Sequence, residues 1–435
     1  MKKYFLAVAS FFIYSHISLG QVYPGQMDST FVPVRSHHYD PELTFDFCVN
    51  EPAWSNQAGI HSAFGSTDRL YFRKEVPVNH DNDLSSSYST TVWRGERANA
   101  QILVWSSEAL EQVRVSTQDL RSAEGNIIPK DRITFELVRY VLSNYPYAEK
   151  KAICGESPYK SGFLMPDRLE TLDRFDLPSQ TTRPVWMMVD VPRGTVPGTY
   201  KGQVEVRAKG KAPQLLNLEI VVQNQLLPYP KDWKYRLDLW QNPWAVAWYN
   251  HVEPWSPEHK MLLKQHLKHY ADAGGTYITT YGVHSPWSDN SYMIEGGMIE
   301  WIKKADGTWA FDYKIFDEYV ELAMECGIDE AITLYTPIPW GFRHRYKDEA
   351  TGDYSYINWA PSSEEFKKMW NIFLTDFKFH LEAKSWLDIT YIGINENPME
   401  ETLAAINVVR NHDKCWKITY AGNWHKELDG LLDDY

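Results

Sequence analysis

The feature that most restricts the fold of this chain is a change of hydrophobic period partway along it. Up to about residue 225, apolar residues come in short extended runs broken by turns, as in "TTVWRGERANAQILVW" and "RPVWMMVDVP". In "GTVPGTYKGQVEVRAKGKAPQLLNLEIVVQ", Pro197-Gly198 fits a tight turn and Tyr200 to Val206 alternates with period two. Lys209-Gly210-Lys211 then turns the chain into Leu215 to Val222. Repeated short strands with few helical stretches predict an antiparallel β-sandwich over residues 21–228. "NQLLPYPKDW", with Pro228 and Pro230, reads as the linker that leaves it.

Residues 229–435 follow a different grammar, strand then helix, repeated. Strands are expected at 235–241, 276–283, 330–337, 388–394 and 416–422. Ser256-Pro257 supplies an N-cap and a first-turn proline, and Gly274-Gly275 ends the helix they open. Further helices are expected at 314–326, 362–383 and 399–411, with a short one at the end. Such alternation builds a parallel sheet, and with no Gly-rich nucleotide loop it favours a (β/α)8-type barrel. The fold class is therefore multidomain, β plus α/β. Only about five βα units fit before Tyr435, where a closed barrel has eight. The other three need on the order of 100 residues, so the barrel is expected to be incomplete and the chain to continue.

Residues 1–20 read as a signal peptide: Lys2 and Lys3, an apolar run from Tyr4 to Ile17, then Ser18-Leu19-Gly20. The run is too short to span a bilayer, and no later one approaches the roughly 20 residues required. The mature chain is expected in the periplasm or outside the cell. Losing the two lysines takes the formal charge from −13 to −15. That acidity excludes nucleic acid as a partner, since phosphate backbones would be repelled. Cys48, Cys154, Cys326 and Cys415 are scattered, without the spacing of a zinc site, and no metal or other cofactor is expected. Eighteen Trp and 27 Tyr stand out, because flat rings stack on the C–H faces of sugars. Two large cores would account for them equally well.

In barrels of this kind the chemistry sits at the C-terminal ends of the strands. Those ends offer Asp238, Trp240 and Gln241, then His284 and Trp287, then Tyr335, Pro339 and Trp340. Asn395 and Glu396 follow the fourth expected strand, and Asn423, Trp424 and His425 the fifth. The stretch "MIEWIKKADGTWAFDY" reads as a hairpin turning at Asp306-Gly307 on the same side, which would let Trp301 or Trp309 overhang the mouth. A tryptophan at a strand end packs about as often as it binds, and a lone histidine is more often structural. Glu396 differs: a carboxylate placed between a buried strand and Pro398 is costly without a partner or a role. The serine-lysine pair at Ser157 and Lys160, with Ser288-Asp289-Asn290, lacks the helix and the KTG element that penicillin-recognising enzymes need.

"RGERANAQ" (94–101), "PGTYKGQVEV" (197–206), "NENPMEE" (395–401) and "YAGNWH" (420–425), in that order, resemble glycoside hydrolase family 123. The resemblance implies a secreted enzyme with a β-sandwich before a (β/α) barrel, removing β-linked N-acetylhexosamine, chiefly N-acetylgalactosamine, from glycans. It implies that Glu396 is the general acid and base. It also implies a substrate-assisted retaining mechanism, in which the sugar's own 2-acetamido oxygen attacks the anomeric carbon. The family's adjacent aspartate, which orients that amide and balances the oxazolinium charge, is Asn395 here. Asn395 keeps an oxygen that accepts the amide N–H but lacks the charge. The competing reading is a catalytically impaired protein that binds carbohydrate without turning it over. Asp238, Trp240, His284, Trp287, Tyr335, Trp340, Asn423 and Trp424 are the expected substrate-binding residues.

Overall fold

The computed structural model describes residues 51–77, 84–143, 163–287 and 296–435. The expected signal peptide, Cys48, Cys154, the Ser157–Lys160 pair and Ser288-Asp289-Asn290 lie outside them. The chain divides into two compact units, Met1–Leu227 and Pro228–Tyr435.

The first unit holds two sheets. One runs His61–Gly65, Arg97–Ser106, Thr181–Asp190, Ile133–Ser143 and Phe163–Thr171, each neighbour antiparallel. The other runs Ser87–Arg94, Gln214–Leu226, Gly198–Arg207, Leu110–Thr117 and Phe175–Leu177. Period-two burial follows from the pleat, which sends successive side chains to opposite faces. Thus Tyr200, Val204 and Val206 point inward from one strand, and Leu216, Leu218, Ile220 and Val222 from the next. They share one core with Ile102, Val104, Val185 and Met187 of the first sheet. One pairing departs from the antiparallel expectation: Gln214–Leu226 runs parallel to Ser87–Arg94. These strands lie far apart in sequence, so no hairpin dictates their relative direction.

The second unit is organised by four parallel strands in sequential order: Tyr277–Tyr281, Ala331–Tyr335, Thr390–Asn395 and Lys417–Ala421. The first two are buried along their whole length, as strands covered on both faces must be. Helices Pro257–Asp272, Lys314–Glu325, Glu364–Lys384 and Met399–His412 alternate with them. The Ser256 hydroxyl accepts from the His259 backbone N–H at 3.2 Å, and Leu263 and Leu267 bury the inner face of that helix. The expected strand at 235–241 does not form. Only Leu237 makes a bridge, to Gly275, and Asn242 then caps a helix at Pro243–Asn250. The expected final helix is a three-residue turn, Lys426–Leu428.

Two hairpins rise from the ends of the first two parallel strands. Glu300–Lys303 and Trp309–Asp312 pair across the Asp306-Gly307 turn, with Gly307 at φ +84°. Arg343–Asp348 and Tyr354–Asn358 form the second, which the sequence pattern had not revealed. Ile302 and Lys303 pair in parallel with Lys347 and Asp348, so the hairpins make one four-stranded sheet. Trp301 does not overhang a mouth. It is 2% exposed, stacks on Phe373 with ring centres 4.8 Å apart, and donates to the Gly282 carbonyl at 2.8 Å. Trp309 is half-buried against Trp301, Tyr346 and Trp359.

Candidate active site

The strand Thr390–Asn395 is apolar and buried up to its last residue, and the helix Met399–His412 begins four residues later. That junction sets Asn395 under the chain and Glu396 outside it. Gly393 makes the neighbourhood fit. A Cβ there would lie 2.9 Å from both Thr333 Cγ2 and the Tyr335 ring, so glycine lets Tyr335 lie close beside the strand.

Asn395 is 1% exposed. Its Oδ1 accepts from Thr336 Oγ1 at 3.2 Å and from Asn397 Nδ2 at 3.0 Å, while Asn397 also donates to the Ile338 carbonyl at 3.0 Å. Asn395 Nδ2 is buried without a partner. A buried donor left unmade costs about 1–3 kcal/mol, so its persistence calls for a reason. Glu396 is exposed, and its Oε1 accepts from Asn423 Nδ2 at 2.9 Å. The two ends of adjacent strands thus place a carboxylate and a carboxamide in contact.

Beside them lies a cleft of about 340 Å³, lined in part by Asp238, Trp240, Tyr335, Tyr420 and Gly422. The size falls at the lower end of small-ligand sites. Trp240 is half exposed and stacks on buried Trp287 at 4.9 Å, with the Tyr335 ring edge-on at 5.0 Å. Trp287 and Tyr335 therefore hold the Trp240 plane in position from behind. The Tyr420 hydroxyl is buried with no partner, and its pKa is raised by burial and then by the negative charge of Glu396. Glu396 is not itself among the residues lining the cleft; its partner Asn423 directly follows Tyr420, Ala421 and Gly422, which are. Asp238 is open to solvent on one side and crowded on the others; that crowding, with Asp434 adding to it, raises its pKa to about 6.

The remaining expected residues divide. His284 is half-buried and held down to about 4, first by desolvation and then by the positive charges of Arg345 and Arg343. It belongs to the hairpin side of the site. Trp340 is half-buried against the core, and its backbone N–H donates to Pro286 at 2.9 Å. Trp424 is exposed, His425 is half-buried, and the Gln241 side chain latches the Thr279 N–H at 2.9 Å. Sequence reasoning had missed Tyr420 and the trio Arg236, Tyr277 and Asp434, which also line the cleft. Tyr420 precedes Gly422 at a strand end, where a Cβ would lie 2.5 Å from the tyrosine hydroxyl; the Gly in "YAGNWH" was the available signal. Among the described residues, no three of His, Cys, Asp and Glu are grouped to hold a metal ion. No described helix is long and apolar enough to cross a membrane.

Residues 240–435 match the family profile described as glycoside hydrolase 123, catalytic domain. Residues 64–208 match the glycoside hydrolase 123 N-terminal domain. Among solved structures, the chain is similar to a family 123 glycoside hydrolase from Clostridium perfringens described in connection with glycolipid glycan hydrolysis. The TM-score is 0.75 at 26% identity, covering 87% of this chain and 66% of that one. The chain thus spans just under two thirds of that relative's length. A family 39 glycoside hydrolase from the gut symbiont Bacteroides cellulosilyticus WH2 aligns only loosely, at TM-score 0.24 and 12% identity over 72% of this chain and 50% of that one. No curated protein sequence matches.

Proposed function

Since the chain belongs to glycoside hydrolase family 123, we propose that it is an exported enzyme that removes β-linked N-acetylhexosamine from glycans. N-acetylgalactosamine is the preferred sugar in this reading. What supports this reading most is that Glu396 is reached by solvent and bonded to Asn423, which directly follows the strand end whose Tyr420 lines a cleft together with Trp240 and Tyr335.

The protonated Glu396 carboxyl gives its proton to the glycosidic oxygen as the bond to the anomeric carbon breaks. The 2-acetamido oxygen of the sugar forms the new bond to that carbon, giving an oxazolinium ion. Glu396, now a carboxylate, takes a proton from water; the water oxygen attacks the anomeric carbon and the ring opens, restoring the acetamide. Substrate-assisted enzymes stand outside the two-carboxylate schemes for this reason. Trp240 offers the sugar a flat face, and the Tyr420 hydroxyl offers an unused hydrogen bond.

Asn395 is the amide-orienting residue, and its bonding defines the difficulty. Oδ1 is already taken by Thr336 and Asn397, and the unpartnered group is a donor. To accept the substrate N–H, the carboxamide has to turn over, giving up the bond from Asn397 while Thr336 Oγ1 can accept from Nδ2. The test is release of aryl alcohol from an aryl β-N-acetylgalactosaminide. Turnover that disappears in Glu396→Gln supports the enzyme. The missing charge at Asn395 favours a second reading, a glycan binder without turnover. Saccharide binding with no release above the Glu396→Gln background would decide for it.

A further inference from the structure

The hairpin Arg343–Asp348/Tyr354–Asn358 carries a pattern that the proposed chemistry leaves unused. Arg345 lies opposite Tyr356 and Lys347 opposite Tyr354, so these residues share one face with Arg343 and Asn358. The guanidinium carbon of Arg343 sits 3.9 Å from the centre of the Tyr356 ring, and that of Arg345 4.2 Å from the Tyr354 ring. Both tyrosines are half exposed, at 49% and 50%.

Their charges are only partly matched within the chain. Glu300 accepts from the Tyr354 hydroxyl at 2.9 Å and pairs with Arg345 at 3.8 Å, while Arg345 Nε is buried without a partner. Among the described residues, Arg343 makes no ion pair. The hairpin's acids, Asp348, Glu349 and Asp353, cluster at its turn, where Glu349 is paired with Lys304 at 2.9 Å. In a chain of net charge −13, this is a local cationic face. The hairpin starts directly after the turn at Trp340–Phe342 that follows the strand Ala331–Tyr335. Both arginines act electrostatically on His284, at the end of the neighbouring strand.

The geometry points to an accessory binding site for a carboxylate-bearing sugar on the face formed by Arg343, Arg345, Tyr354 and Tyr356. Arg343, the exposed one of the two, lies flat on the Tyr356 ring, and the edge of such a guanidinium matches the two in-plane oxygens of a carboxylate, with the more buried Arg345 adding charge beside it. The glycan would then be read at an acidic unit as well as at the sugar being removed. This rests on the glycosidase reading of the cleft, and the two can fail separately.

The test uses the full chain carrying Glu396→Gln, titrated calorimetrically with three oligosaccharides that differ at one unit: carboxylated, carboxyl-reduced and sulfated. The carboxylated form is expected to bind about tenfold tighter than the reduced one, the worth of a charge-assisted hydrogen bond. Added salt narrows the gap. Arg343→Gln with Arg345→Gln abolishes it without weakening the reduced sugar, and the double lysine variant retains part of it. Equal affinity for the carboxylated and reduced sugars overturns the site. So does an unchanged gap in the glutamine variant, or a sulfated sugar bound as tightly as the carboxylated one. If the unmodified chain hydrolyses none of the three while the gap is present, the hydrolase reading fails and this site stands. Hydrolysis without a gap gives the reverse.

Discussion

Replacing Asn395 by aspartate puts the reasoning about the site under the most pressure. The substitution removes the unpartnered Nδ2 donor, relieving a penalty of about 1–3 kcal/mol. It also makes the bonds from Thr336 and Asn397 charge-assisted, roughly doubling their strength. Against these gains stands a carboxylate at a position 1% exposed, whose second oxygen has no donor. Incomplete solvation of a buried ion costs several kcal/mol. The balance is a loss of about 1–3 kcal/mol at neutral pH, and a unit of this size loses roughly 2–4 °C per kcal/mol. Burial raises the pKa of such a group in the folded state, so the penalty is absent at low pH and grows as pH rises. Hydrolysis should move the other way. The second oxygen accepts the acetamide N–H without any turnover of the side chain and places a charge beside the oxazolinium. A gain of about 10²–10³ in kcat is expected. Calorimetric melting from pH 4 to 8, with aryl-glycoside release, measures both effects. A melting temperature equal to that of the parent at every pH would refute the burial reasoning. A folded variant with no gain in rate would refute the charge reasoning.

Glu396→Gln should lower kcat by about 10²–10⁴ with little change in melting temperature, since the side chain is exposed. Loss of stability comparable to loss of rate would place it in a structural role. Asp238 titrates near 6 instead of 3.8, so the stability it contributes is complete below about pH 4 and is lost as pH rises through 6. Asp238→Asn should therefore gain on the parent over that interval. After discounting for its solvent exposure the gain is about 1 kcal/mol, and parallel melting curves across pH 4 to 7 would contradict it. Gly393→Ala should destabilise by about 1–3 kcal/mol through contact with Thr333 and Tyr335, and denaturant unfolding reads this directly.

Strong local chemistry was readable from the residues alone. Ser256-Pro257 opens its helix, Asp306-Gly307 turns its hairpin, and the apolar runs at 276–283, 330–337, 388–394 and 416–422 each coincide with a parallel strand to within a residue or two at the ends. Where pairing decides, pattern fails. Residues 235–241 alternate like a strand, yet only Leu237 finds a partner, because strand preference depends on what lies alongside. The hairpin at Arg343–Asn358 was hidden by its charged sequence, whose stability comes from tyrosines and arginines stacking across the pair. Trp301 looked like a rim residue because sequence shows which strand it ends near but not which way its ring turns. The site divides on the same principle. That Glu396 stands exposed at the end of a buried strand was legible in the sequence, whereas the orphaned Nδ2 of Asn395 depends on Thr336 and Asn397, 59 and 2 residues away.

The two hairpins are zipped together at Ile302–Lys347 and Lys303–Asp348. Excursions at the ends of parallel strands are usually treated as separate modules, each exchangeable for its counterpart in a relative. Here, grafting either excursion alone would strip ladder bonds from the one left behind and shift it. Any redesign of these excursions has to transplant residues 300–312 and 343–358 as a single piece.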